Sequence, residues 1–206
     1  MIKIIYKIII SFVIVFLVLT TYLSTIGIKT DKLNQQISSH LKGIDKNLEV
    51  QLKDVSIFLD PFNFKLDLKT IGTNLKYKNK TIELESVKSN ISIKSLLNNK
   101  FSLNKVDIST KSIKIKDLIS FYQLLKNDPK IYIAKKFIKK GYLIADLQVE
   151  FDKNGSIKEN YKINGFVKQG EIDLFNKLNL SKIDFIFNIK KNNFLLNDLK
   201  VFANNN

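Results

Sequence analysis

VSIFLDPFNFKLDLKTIGTNLKYKN, residues 55 to 79, decides the fold. Val55, Ile57 and Leu59 alternate with less apolar partners until Pro61, which lacks the N–H a strand ladder needs and marks a turn. Phe62, Phe64, Leu66 and Leu68 then alternate with Asn63, Lys65 and Asp67. Past Ile71-Gly72, Leu75 and Tyr77 alternate with lysines, and Lys78-Asn79-Lys80 predicts another turn. A period of two puts apolar side chains on one side of a strand and polar ones on the other.

The same pattern runs outward from this stretch. It begins at Leu48 and continues past Lys80 with Ile82 and Leu84, which stand opposite Glu83 and Glu85. Parity then slips at Ser86, and Val87, Ile91 and Ile93 take over the inward side, which predicts a bulge or bend in a curved sheet. Phe101, Leu103, Val106 and Ile108 follow a turn at Asn98-Asn99, and Ile113 and Ile115 close the series. Residues 44–116 therefore read as an antiparallel meander. Residues 117–141 read as two helices. The first, Asp117–Asn127, has Leu118, Phe121, Tyr122 and Leu125 on one side. The second has Asp128 as N-cap, Pro129 at its first position and Gly141 past its end, with Ile131, Ala134 and Ile138 facing inward. Its Lys135, Lys136, Lys139 and Lys140 suit either a solvated face or a membrane surface.

Alternation resumes in residues 142–206. Leu143, Ala145, Leu147, Val149 and Phe151 share one side, and Asp152-Lys153-Asn154-Gly155 is a hairpin loop. Ile157, Tyr161 and Ile163 follow, then Val167, Ile172 and Leu174. Ile183, Phe185, Phe187 and Ile189 make one more strand, and Phe194 to Ala203 the last. A bare sheet edge is an aggregation hazard, so further strands are expected beyond Asn206.

Ahead of the strands lies IIISFVIVFLVLTTYLSTIGI, from Ile8 to Ile28, without a charge. At about 1.5 Å per residue such a helix covers roughly 31 Å, the thickness of a bilayer's hydrocarbon core. A cleaved signal needs small residues at its cleavage point, and this run continues through Thr20, Thr21, Tyr22 and Leu23 without alanine. Residues 1–29 therefore read as a single transmembrane anchor. Residues 30–43 read as a membrane-proximal helix that continues it, capped by Thr30 or Asp31, with Leu33, Ile37 and Leu41 on one side and Gly43 at the end.

The composition excludes several function classes. The 206 residues contain no cysteine, so neither disulfides nor cysteine metal sites are expected. The net charge of +15 comes with no arginine, the usual fork for reading nucleic acid, so a nucleic-acid partner is not expected. His40 stands alone, and no Gly-rich phosphate loop occurs. Glu83, Glu85, Asp146, Glu150 and Asp152 fall on polar sides of strands rather than converging. No catalytic residue, metal or cofactor is expected, and the chain does not read as an enzyme.

What remains is the apolar side, which periodicity leaves open as either a closed core or a groove. LEVQLKDVSIFLDPFNFKLDLKTIGTNLKYKN, from Leu48, and ESVKSNISIKSLLNNKFSLNKVDISTKSIKIKDL, from Glu85, resemble the N-terminal region of AsmA-like proteins of the TamB and YhdP type. The likeness includes the S-x-x-S-L-L step, here Ser92 to Leu97, ahead of a strand carrying V-D-I. GYLIADLQVEFDKNGSIKENYKINGFVKQGEIDL, from Gly141, resembles the repeating strands of YhdP-type members. The resemblance implies a mainly β fold: a transmembrane helix, then a curved antiparallel sheet shaped like a taco, with two mid-chain helices. It implies a single-pass bacterial inner-membrane protein with its bulk in the periplasm, moving phospholipid between inner and outer membranes, with envelope proteins as possible partners. At 206 residues the chain is short for that task, which fits a piece or a small member. Leu66, Leu68, Ile82, Leu84, Ile91, Ile93, Val106, Ile108, Leu147 and Val149 are the candidate groove lining, each equally a candidate for the core. The alternatives are a single-span component of a lipopolysaccharide-export bridge, or a structural protein that assists outer-membrane protein assembly through a strand edge.

Overall fold

A computed structural model describes residues 2–94, 103–126, 128–152, 158–175, 177–191 and 193–205. Helix α1, Ile2–Thr25, is apolar enough from Lys3 to Thr25 to cross a membrane, and none of that stretch is buried by the rest of the chain. It does not run on into the next helix, as the sequence suggested. Gly27 turns the chain at φ +68, and a Cβ there would lie 2.5 Å from the Ile57 carbonyl oxygen. Ile28–Thr30 then forms a short strand, β1. Helix α2, Lys32–Ile44, starts only after it, with the Thr30 hydroxyl accepting from the Lys32 N–H at 3.1 Å.

The chain continues as β2 (Leu48–Gln51), β3 (Val55–Asp60), β4 (Lys65–Ile71), β5 (Asn74–Tyr77), β6 (Lys80–Ser92), β7 (Leu103–Thr110) and β8 (Ile113–Lys114). Helices α3 (Ile115–Leu125) and α4 (Pro129–Phe137) follow, then β9 (Ile138–Glu150), β10 (Lys162–Leu174), β11 (Leu178–Lys190) and β12 (Asn193–Asn205). The twelve strands make one open, curved antiparallel sheet in the order β1-β3-β4-β6-β7-β9-β10-β11-β12. β5 flanks β6 and carries β2, and β8 flanks β9. The sheet therefore does not stop at the helices; β7 pairs directly with β9 across them. The turns expected at Asn98-Asn99 and at Lys153 to Gly155 lie outside the described residues.

Three expectations are corrected. Phe62 and Phe64 do not extend a strand with Leu66. The Asp60 carboxylate accepts from the Asn63 N–H at 3.1 Å and from Asn63 Nδ2 at 2.7 Å, folding residues 61–64 into a turn. The second mid-chain helix ends at Phe137, not near Gly141. Ile138 is already extended and paired with Ile172, and Gly141 lies inside β9 at φ +137, where a Cβ would meet Ile115 Cδ1 at 2.7 Å. Finally, α3 begins at Ile115 and buries Ile119 and Phe121, with Leu118 and Leu124 packing alongside, while Tyr122 and Leu125 stay exposed.

The parity slip read at Ser86 is a bulge, a register shift between Leu84 and Ser86 against β7. Four more strands carry shifts at neighbouring positions. Gly141 in β9, Gln169 in β10, Lys182 in β11 and Asp198 in β12 all have positive φ. Together they form a crease across the second half of the sheet. Each bulge turns the following residues over, so the apolar side stays on one face beyond it. The crease is pinned by Asp184, whose carboxylate accepts from the Gln169 N–H at 2.8 Å and from Lys168 Nζ at 3.2 Å. Those bonds, the backbone one foremost, hold the Asp184 carboxyl below its ordinary range.

Candidate functional site

Strand register assembles the apolar side chains into rows that cross the sheet. One row runs Val55, Thr70, Val87, Ile108, Leu147, Ile163, Ile189 and Phe194, each paired with the next. A second runs Ile28, Ile57, Leu68, Ser89, Val106 and Val149. A third joins Leu59, Leu66 and Ile91. In a pleated sheet, directly paired residues share a face, so these rows form one nearly continuous apolar surface from β1 to β12.

Helices cover only part of it. α3 packs on β6, β8 and β9, and α4 on β9, β10 and α3. Beneath α3, Tyr77, Ile82, Leu84, Ile113 and Phe121 form a closed core, with the Tyr77 and Phe121 rings edge-on at 6.2 Å. The Tyr77 hydroxyl reaches out of this core to donate to the Asp45 carboxylate at 2.9 Å. A second cluster joins Ala145, Val167 and Phe187, with Ile115 of α3 against it. Gly165 lies opposite Phe187 and Ala145, where a Cβ would press on the Phe187 ring at 2.7 Å.

The ten nominated residues therefore divide. Leu66, Leu68, Val106, Ile108, Leu147 and Val149 share the apolar face and are half-buried. Ile91 is on the same face but only 3% exposed. Ile82 and Leu84 are core beneath α3, at 7% each, and not lining. Ile93 lies past the end of β6, half-buried, its N–H donating to the Phe64 carbonyl at 3.1 Å. The structure adds Ile57, Leu59, Ile163, Ile189 and Phe194 to the face. Their parity was visible in the sequence; which strands would neighbour one another was not.

The opposite face is polar along the same strands. Lys69, Lys88, Asp107, Gln148 and Lys162 pair in one row, and Asp67, Asn90, Lys105 and Glu150 in another. Lys105 and Asp107 form an ion pair at 2.9 Å. Burial, with the nearby Asp60 charge, pushes the Asp67 carboxyl up. A hollow of about 370 Å³ on this face, lined by Lys69, Lys88, Asn90 and Asp107, also touches Ser24 at the end of α1. The acids stay spread along the strands, and among the described residues no group of acids and histidines converges as a metal site would require. The His40 side chain lies outside the described residues. Comparison with family models, curated proteins and solved structures finds no match for this chain.

Proposed function

We propose that this chain is a membrane-anchored, AsmA-like carrier that holds the acyl chains of phospholipid against the apolar face of its sheet, in the envelope between inner and outer membranes. The observation that carries the reading is the row from Val55 to Phe194: a mostly apolar row crossing eight strands, buried at Val55 and Thr70 but only partly covered from Val87 to Ile189, with charged rows directly behind it. A two-tailed lipid carries roughly 30 methylenes at about 0.8 kcal/mol each, so on the order of 24 kcal/mol opposes its passage through water. A continuous apolar trough lowers that barrier without any bond being made or broken, so the reading needs no catalytic group. The α3 core closes one side of the face, which leaves β3, β4, β7 and the outer part of β9 as the lipid path.

Lipid extraction tests this. Purified chain should carry phospholipid, and Leu68→Asp/Leu147→Asp should lose most of it while keeping its fold. Bound lipopolysaccharide instead would favour an export bridge. Absence of any lipid, with the double variant unchanged, would favour a scaffold. The last reading has one observation of its own: β12 is exposed along both faces, with Phe194 at 57% and Phe202 at 58%.

A further inference from the structure

Two phenylalanines at the turn between β3 and β4 stand in solvent, Phe62 at 93% exposure and Phe64 at 71%. The turn is braced rather than loose. Asp60 holds Asn63 from one side, and the Ile93 N–H donates to the Phe64 carbonyl from the other. Phe64 itself sits at φ +50, a conformation that is uncommon for a bulky residue and persists where the surroundings impose it. A fixed turn that presents two large rings outward implies something apolar to receive them.

Topology identifies the receiver. β1 runs antiparallel to β3 with Ile28 opposite Ile57, so the chain enters β1 from the side toward which β3 runs. Gly27 packs against the Ile57 carbonyl and the Phe58 ring. Pro61 is three positions further along, about 10 Å at strand rise. The end of the apolar helix α1, which borders the polar-face hollow at Ser24, and the turn bearing Phe62 and Phe64 therefore lie toward the same end of the strands. Lys65 follows Phe64 directly and Lys94 follows Ile93, whose N–H donates to the Phe64 carbonyl, so two cations belong to the backbone around the turn, as suits residues near headgroup phosphates.

We propose that the β3–β4 turn is a second membrane contact, with Phe62 and Phe64 entering the interfacial layer of the leaflet from which α1 emerges. This rests on α1 lying in a bilayer, and not on any lipid being carried. Two attachment points hold the sheet at one tilt, where a single helix and a glycine turn would let it swing. They also bring the row of Leu59, Leu66 and Ile91 next to the bilayer.

The chain has no tryptophan, so a single substitution supplies all the indole emission. The full chain is placed in phospholipid nanodiscs whose acyl chains are brominated near the headgroup. Phe12→Trp reports on α1, Phe62→Trp and Phe64→Trp on the turn, and Phe175→Trp on an exposed ring at the far end of the strands. The expected result is blue-shifted, quenched emission from the first three and water-like, unquenched emission from Phe175→Trp. Water-like emission from Phe62→Trp and Phe64→Trp, beside a quenched Phe12→Trp, overturns the proposal and leaves the anchor standing. An unquenched Phe12→Trp removes anchor and proposal together. Equal quenching of Phe175→Trp signals adsorption without orientation and also overturns it. None of these outcomes moves the lipid-extraction test.

Discussion

Leu147 and Ile82 are both aliphatic strand residues on the apolar side of the sheet, and their surroundings give them different roles. Leu147 lies between Ile108 and Ile163 with part of its surface open, whereas Ile82 is buried beneath Phe121. An aspartate at 147 can hydrate its carboxylate, while one at 82 would bury a charge with no partner. Leu147→Asp should therefore keep the unfolding transition and lose acyl contact; Ile82→Asp should fail to fold. Phe121→Ala removes the ring that closes the core and should cost about 3–5 kcal/mol in denaturant unfolding. An unfolding midpoint for Phe121→Ala close to wild type would mean that α3 does not seal the face. The sequence could not separate these roles, because periodicity reports which side a residue takes but not what lies over it.

At the scale of elements, the strands were legible wherever alternation ran for five or more residues, and the failures have local causes. Ile28–Thr30 is too short to show a period, so the apolar run hid the break at Gly27. Phe62 and Phe64 share parity with Leu66, yet the Asp60 side chain outbids the ladder for the Asn63 N–H. Ile138 fits the α4 stripe, but its pairing with Ile172 makes it strand. Gly27→Ala places a Cβ against the Ile57 carbonyl at positive φ and should destabilise the α1–β1 junction by about 1–3 kcal/mol. Limited proteolysis before Ile28 should quicken accordingly; unchanged cleavage would mean that the junction tolerates the methyl. The crease gives a prediction in pH. Asp184 has a folded pKa below its ordinary 3.8, so its contribution is complete above that value and is lost as pH falls through the lower folded one. The melting temperature of Asp184→Asn should fall short of wild type at neutral pH, with the gap closing below about pH 3.8. A gap independent of pH would assign the loss to packing instead.

The molecule as a whole is a sheet with two chemically different faces and a greasy helix at one end. Nine strands in line, at about 4.8 Å per step, make the sheet roughly 38 Å across. Its far edge, β12, exposes Leu195, Leu196, Leu199 and Phe202, and among the described residues no strand pairs with its outer side. Such an edge templates further strands, so Leu196→Lys should reduce self-association in light scattering, and an unchanged profile would mean that the edge is already protected. The alternation across the sheet offers the most direct test of the central claim. A photoreactive side chain placed in turn at Leu68, Val106, Leu147 and Val149, and at their neighbours Lys69, Asp107, Asp146 and Gln148, would be irradiated in the full chain with phospholipid present. The account predicts lipid adducts at the first four positions and none at the second four; adducts on both faces, or on neither, would contradict it.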